Sequence, residues 1–273
     1  MRDERAILEF IVHHLSLGFD CVFVLDHLSV KPIQEQVDTL PEEHRTRVRV
    51  VRPDVMKGTK TQWIKDWVVP LCIEHCSDYF IHLDADDYIV FRDDIGSVDD
   101  LLRRVGRPDV LAFHWRQFGS GGLQKNPHPL GHLTPVFTRC QQLMHDHFKP
   151  MVSRTQFTDP RFRFVTPHDV VGRDPTYASM SGKTSRHKPV HSLFAALKED
   201  RHPDQVQAYI NHYIIQDKET YYRRKVHRVR DDNLQFRPQP KHDVLMSKYN
   251  DATCLKLRDR YDSLSFGPAD EHP

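Results

Sequence analysis

Tyr79-Phe80-Ile81-His82-Leu83-Asp84-Ala85-Asp86-Asp87-Tyr88 passes from a run of β-formers straight into three carboxylates. Tyr79, Phe80, Ile81 and Leu83 are enough for one buried strand of an α/β sheet. In an open α/β sheet, ligands collect just beyond the carboxyl ends of the strands. Asp84 and Asp86, two residues apart, are placed to converge on one hard cation, and carboxylate oxygens suit Mg²⁺ or Mn²⁺. Such an ion commonly serves to hold a phosphate. A solvated acidic turn is the competing reading; the hydrophobic strand and the helical segment ahead of it favour the metal.

Working outward, the elements suggest a wound sheet. Asp3 is placed to cap a helix over Glu4 to Leu17, with Ile7, Leu8, Ile11 and Leu15 on one face and Gly18 as its stop. Cys21 to Leu25 forms an apolar strand ending at Asp26, and Val48 to Val51 a second, followed by a Lys57-Gly58 turn. A helix over Thr61 to Cys76 must kink or split at Pro70. A short helix near Val98 to Val105 and a strand over Val110 to Trp115 complete the alternation, which fits parallel βαβ units. Gly119 to His132 is a long loop, and such loops inside compact domains are usually functional or mobile. Lys149 to Met180 reads as short, partly antiparallel strands, with helices near His202 to Tyr213 and Glu219 to Val226. The chain is polar from Asp231 onward. No strand precedes the first helix, and Arg2-Asp3-Glu4 reads like the loop after one, so either the first strand is missing from the expected domain over residues 1–228, the favoured reading, or the sheet edge is unusual; residues 229–273 form a polar extension.

Size and charge bound the function. A chain of 273 residues is enough for one large α/β domain or one and a half, with a sizeable core. Lys and Arg number 39 against 38 acids, and this balance argues against a general nucleic-acid binder. The 19 histidines would make the surface distinctly basic below about pH 6.5. The five cysteines have neither a disulfide-framework spacing nor the second pair of a zinc site. No stretch approaches the ~18 apolar residues of a membrane span.

An ordered set of segments resembles a family 2-type glycosyltransferase domain, and more narrowly the relatives of glycosyltransferase family 92. Arg2-Asp3-Glu4, His14 to Asp20, Asp26 and Ser29 are similar to its opening. Asp84-Ala85-Asp86-Asp87-Tyr88 resembles its Asp-x-Asp-Glu-Phe box, and His114 to Gly121 its Trp-x-x-Phe-Gly-Ser-Ser-Gly segment. Lys149 to Arg154, His168, and Ile210-Asn211-His212-Tyr213 followed by Lys225 and Arg228 are similar to later boxes. Asp87 stands where the family has Glu, and Gly121 where it has the second Ser. Gln216-Asp217 stands where it has Lys-Ser.

The resemblance implies a GT-A-like fold, a mostly parallel sheet flanked by helices with an antiparallel and helical C-terminal portion. It implies sugar transfer from a nucleotide-sugar donor to a hydroxyl on a glycan, lipid or protein acceptor, dependent on Mn²⁺ or Mg²⁺ and inverting. A divalent ion neutralises the leaving diphosphate, and a general base takes the acceptor proton. Asp84, Asp86 and His212 are the candidate metal ligands, although His212 also suits a packed histidine bonded to backbone; His168 is the other candidate. Asp26, Ser29 and Asp84 are candidates for the nucleotide, with a turn cap as the other reading of Asp26. Lys218, Lys225 and Arg228 are candidates for the diphosphate, within a basic run that also holds Arg223 and Arg224 and that suits a solvated face as well. Trp115 and Phe118 are candidates for an apolar platform under a sugar, or for core. Asp169 is the candidate base. The expected compartment is cytoplasmic, or the Golgi or ER lumen if an N-terminal anchor precedes the chain. Two other classes stay open: a Mg²⁺-dependent phosphohydrolase of haloacid-dehalogenase type, and a non-catalytic relative that binds nucleotide sugar or carbohydrate.

Overall fold

The computed structural model describes residues 6–27, 29–54, 58–186, 202–226, 244 and 247–266, the side chains of 185–186 and 225–226 excepted. It is a mixed α/β fold with a curled sheet.

Helix α1 (Ile7–Ser16) buries Ile7, Phe10, Ile11 and Leu15. It stops at Gly18, whose φ of +87° is a left-handed value and whose N–H donates to the Leu15 carbonyl at 3.1 Å. The expected cap, Asp3, lies outside the described residues. Strand β1 (Val22–Leu25) pairs in parallel with β2 (Val48–Val51), Val22 opposite Val48. Two short helices, α2 (Ile33–Val37) and α3 (Glu42–Arg45), make the crossover between them.

The helix expected over Thr61 to Cys76 is split, for the reason the sequence suggests. It runs as α4 (Lys60–Trp63), a π-helical turn over Ile64–Val68, and α5 (Val69–Glu74). Pro70 has no N–H, so the regular ladder cannot continue through it, and the wider turn ahead takes up the break. Cys76 closes the segment at φ 52°, with the Ser77 N–H reaching back to the Cys72 carbonyl at 3.0 Å.

The centre of the main sheet is β5 (Val110–Gln117), buried along its whole length. One edge of β5 pairs antiparallel with β7 (Phe148–Ser153), which pairs in turn with β3 (Tyr79–Ile81). The other edge is shared. Its first half pairs in parallel with β10 (Thr176–Ser179), which carries β11 (Thr184–Arg186); its second half pairs in parallel with β12 (Ala208–His212), which carries β4 (Asp87–Phe91) antiparallel. Among the described residues, β5–β10 and β5–β12 are the only parallel pairs of this sheet, so it is mixed where a mostly parallel one was expected. Strand–helix alternation stops after β5, and the chain then returns by turns and loops, which join antiparallel neighbours.

Residues 202–213 are not the expected helix. A 3₁₀ turn, Pro203–Gln205, leads into β12, and β12 is buried at all five positions between β4 and β5. The antiparallel pieces expected in 149–180 are present as β7 and the hairpin of β8 (Arg163–Thr166) and β9 (Asp169–Val171).

The loop over Gly119 to His132 has no helix or strand and is pinned at its far end by α1. The buried Glu9 carboxylate accepts the N–H groups of Leu133 (2.6 Å) and Thr134 (2.9 Å) and the Thr134 hydroxyl (2.6 Å). The described residues 248–266 also fold onto this unit. Strand β13 (Ala252–Thr253) pairs with β6 (Arg139–Cys140), and Leu257 and Phe266 are buried in the main core. Gly119 admits this segment: a Cβ there would meet Asn250 Oδ1 at 2.4 Å and the Lys248 carbonyl at 2.5 Å.

Candidate metal centre

Strand β4 begins at Asp87, directly after the turn through Asp84, Ala85 and Asp86. The turn is closed twice: the Asp87 N–H donates to the Asp84 carbonyl (2.9 Å) and the Asp84 N–H to Asp87 Oδ2 (3.0 Å). The Tyr213 N–H, just past β12, holds the Asp86 carbonyl at 2.9 Å. With β12 inserted between β4 and β5, His212 falls opposite Asp87 on one side and beside Gln117 on the other. Sheet register therefore delivers an imidazole from the C-terminal half to the acidic turn.

Asp86, Asp87 and His212 are all buried and offer three ligand atoms within 4.8 Å of one another. His212 Nδ1 lies 2.7 Å from Asp87 Oδ1 and 3.9 Å from Asp86 Oδ1. The closer pair is not aligned as a hydrogen bond, and neither atom has another hydrogen-bond partner. Buried polar atoms without partners are expensive, and a cation between them satisfies both. Two carboxylates and one imidazole suit Mn²⁺ or Mg²⁺ with further positions left for substrate or water.

Asp84 lies outside this group of three, engaged by cations instead. Its Oδ2 is 2.8 Å from Lys149 Nζ, and its Oδ1 accepts from Lys60. Burial opposes its charge, but Lys149 and Lys60 outweigh that and hold its carboxyl well below the usual range. Lys149 is fully buried, 3.6 Å from Asp87 Oδ2 and 5.4 Å from the centre of the Trp115 ring. Burial works against its charge, but Asp84 and Asp87 raise its pKa. Arg224 Nη2 lies 2.7 Å from Asp86 Oδ2. Three carboxylates thus face Lys60, Lys149 and Arg224 in near balance, so a bound divalent ion leaves a positive surplus that suits a phosphate.

Trp115 is stacked on the His212 ring (centroids 4.0 Å, 13°) and near-parallel to His147 (5.6 Å, 8°), with His168 edge-on at 4.8 Å. Its Nε1 is buried without a hydrogen-bond partner. His168 donates from Nδ1 to the Phe148 carbonyl at 2.9 Å, and burial, helped by the Lys149 charge, pushes its pKa down to about 3. A cavity lined by Asp84, Asp86, Trp115, His147, His168 and His212 opens here and continues between β1 and β3.

The other candidates are placed as follows. Asp26 is fully buried; its carboxylate accepts the N–H groups of Ser29 (2.9 Å) and Ile33 (3.2 Å) and pairs with Arg52 at 3.0 Å. Burial opposes its charge, but the Ser29 and Ile33 hydrogen bonds and Arg52 together lower its pKa. Arg52 also donates to the Ser29 carbonyl, so Asp26 and Ser29 form a closed turn. Phe118 packs on Tyr213 (4.6 Å) in the core. Asp169 is buried at the start of β9, and neither it, Phe118 nor Lys218 lines the cavity. Lys218 opens the helix Lys218–Tyr221, capped by Asp217, which accepts the Thr220 N–H at 2.9 Å. Gln216 ahead of it is buried at φ 56°. The Lys225 side chain and Arg228 lie outside the described residues; from that basic run, the described structure brings Arg224 to the cluster.

Reading the sequence alone missed Asp87 as a candidate ligand, and missed Lys60 and Lys149 as counter-charges of the acidic turn, Lys60 to Asp84 and Lys149 to Asp84 and Asp87. Lys149 carried a usable signal: a lysine inside the apolar run Phe148–Ser153 must be paired if that run is a buried strand. A scan against protein-family models gives no match to this chain, and a search of curated proteins gives none.

Proposed function

We propose that the protein is a divalent-metal-dependent glycosyltransferase with a GT-A-like domain, carrying a sugar from a nucleotide-sugar donor to an acceptor hydroxyl. The observation that supports it best is the convergence of Asp86, Asp87 and His212, with Asp87 Oδ1 and His212 Nδ1 buried and lacking other hydrogen-bond partners. Mn²⁺ or Mg²⁺ held there would neutralise charge gathering on the leaving diphosphate. Arg224, beside Asp86, is the nearest group to share that task, in place of Lys218. Trp115 lines the same cavity, but its ring faces are occupied by His212 and His147, so the platform for a sugar that the sequence suggested is not assigned to it. Asp84 is held by two ammoniums and not poised as a nucleophile, which supports the reading of single displacement with inversion. Asp169 is not assigned the base role, because it lines no part of the cavity. Among the described residues no helix is long and apolar enough to cross a membrane. Acceptors in this reading are glycans, lipids or proteins.

The test is a screen of nucleotide sugars for Mn²⁺-dependent transfer or hydrolysis, with the product's anomeric configuration read by NMR. Mn²⁺-dependent release with inversion is the expected outcome, and release of phosphate from simple monoesters with no effect on nucleotide sugars would favour a phosphohydrolase. One observation favours a binding-only protein as the second reading: where the family has a lysine, Gln216 and the capping Asp217 supply no cation. Donor binding without turnover of any donor would select it.

A further inference from the structure

The ladder between β5 and β7 breaks beside the metal centre. Its register runs from Val110–Val152 to His114–Phe148, so His147 falls opposite Trp115. The Trp115 N–H keeps that register and donates to the His147 carbonyl at 2.9 Å. The Trp115 carbonyl does not: it accepts the His145 N–H at 2.6 Å, and the His147 N–H turns instead to His145 Nδ1 at 3.1 Å. A break of this kind re-aims a side chain, and such breaks gather next to active sites. His114 Nδ1 pins it by donating to the His145 carbonyl at 3.2 Å.

The side chain so aimed is that of His147. Strands β7 and β12 lie on opposite edges of β5, so Trp115 stands between two imidazoles, His212 at 4.0 Å and His147 at 5.6 Å. All three line the cavity. Those stacking distances bring His147 near the ~6.5–9.5 Å that separates the paired carboxyls of inverting glycosidases, a spacing that leaves room for the attacking oxygen.

Hydrogen bonding sets the tautomer. His145 Nδ1 accepts the His147 N–H, so it carries no proton. It also lies 3.0 Å from His147 Nδ1, where a second lone pair would be repelled, so His147 Nδ1 holds the proton and donates. His147 Nε2 is then the basic atom of its ring. His168 shares the cavity, but burial pushes its pKa down to about 3 and makes it a poor base. Asp84 is held by two ammoniums, and Asp86 by Arg224.

We propose that, within the transferase reading on which this role rests, His147 is the general base and His145 the positioning residue that holds its tautomer. In the step, the acceptor O–H bond breaks, the proton passes to His147 Nε2, and the oxygen's electron pair forms the bond to the anomeric carbon. The bond from that carbon to the diphosphate breaks, and its electron pair leaves with the diphosphate. The His147 imidazolium keeps its Nδ1–H on His145 and later gives the new proton to water.

Mn²⁺-dependent transfer or hydrolysis of UDP- and GDP-sugars is measured on wild type, His147→Ala, His145→Ala and His145→Asn, and the imidazole ¹⁵N spectrum of wild type reads which nitrogen of His147 is protonated. His147→Ala should lose about 10²–10⁴-fold in kcat, the range for a general base, with donor KM and Mn²⁺ affinity unchanged and part of the rate restored by added imidazole. His145→Ala should also lower kcat at unchanged KM. His145→Asn, whose Oδ1 replaces Nδ1 as acceptor, should keep most of the rate. A wild-type kcat in His147→Ala, or a proton on His147 Nε2 in the spectrum, would overturn the base. So would a loss of Mn²⁺ affinity as large as the loss of kcat, which would make His147 a support of the metal site. Failure of wild type to turn over any of these sugars would overturn the transferase reading and the base role with it. The spectrum needs no turnover, so it tells a wrong tautomer from a wrong reaction.

Discussion

His212 Nδ1 and Asp87 Oδ1, brought from opposite halves of the chain, lie 2.7 Å apart in a buried site without hydrogen-bond alignment between them. Strand register creates the pair, because β12 aligns His212 with Asp87 on β4. Lys149 and the Asp84 N–H occupy the side of Asp87 Oδ2, which leaves Oδ1 to His212.

Lys149 is the structural counter-charge of the cluster. Its replacement by Met leaves Asp84 and Asp87 without their buried partner, and breaking one side of a buried ion pair costs about 3–5 kcal/mol. Urea unfolding of Lys149→Met should show a loss of that order. An unchanged midpoint would mean that the ammonium contributes nothing to holding the acidic turn.

Glu9 ties α1 to the loop that ends at Leu133 and Thr134. Burial raises its pKa, while the hydrogen bonds from Thr134, Leu133 and Tyr88 oppose that shift. Glu9→Ala removes the acceptor of two buried N–H groups and should cost about 2–4 kcal/mol. Hydrogen exchange at Leu133 and Thr134 should accelerate with it. A variant as stable as wild type, with those amides still protected, would contradict the assignment.

Acid should destabilise the fold through buried histidines away from the cluster. Burial pushes His14 down to about 4 and His132 to about 3, and holds His13 well below its ordinary value, with His14 and Arg260 adding to the effect. Tyr88 faces the His13–His14 pair, and Tyr261 and His128 face His132. The sign follows from where the protons bind. Below about pH 6.5 the unfolded chain takes up protons that these folded imidazoles refuse, so stability falls with pH down to the folded values, by about 1.4 kcal/mol per pH unit for each. Unfolding midpoints between pH 7 and 4.5 should fall steeply, and His132→Gln should flatten the slope. A flat profile over that window would contradict the burial of these rings.

Much of the fold is legible where burial follows a simple period. The apolar stripe of α1, the short β-branched runs of β1 and β2, and the long run of β5 each point to one element. Residues 206–213 mislead for a physical reason: Val206, Tyr209, Ile210 and Tyr213 follow helical spacing, yet β12 is buried on both faces, so polar Asn211 and His212 sit inside with them. That error matters, because a helix would place His212 on a turn, whereas a strand aligns it with Asp87. Asp86, His212 and Trp115 are legible as chemistry-bearing residues. The exchange of Asp84 for Asp87 is not, since it depends on Lys60 and Lys149 arriving from two other elements.

The most direct test of the metal centre is calorimetric titration of Mn²⁺ into wild type, Asp86→Asn, Asp87→Asn, His212→Ala and Asp84→Asn, each checked for its fold by circular dichroism. Loss of a ligand should cost more than the ~10–100-fold typical of residues behind the ligands. The account therefore expects Asp86→Asn, Asp87→Asn and His212→Ala to lose at least a hundredfold in affinity, and Asp84→Asn to lose less. Mn²⁺ binding as tightly to folded Asp87→Asn and His212→Ala as to wild type would contradict it.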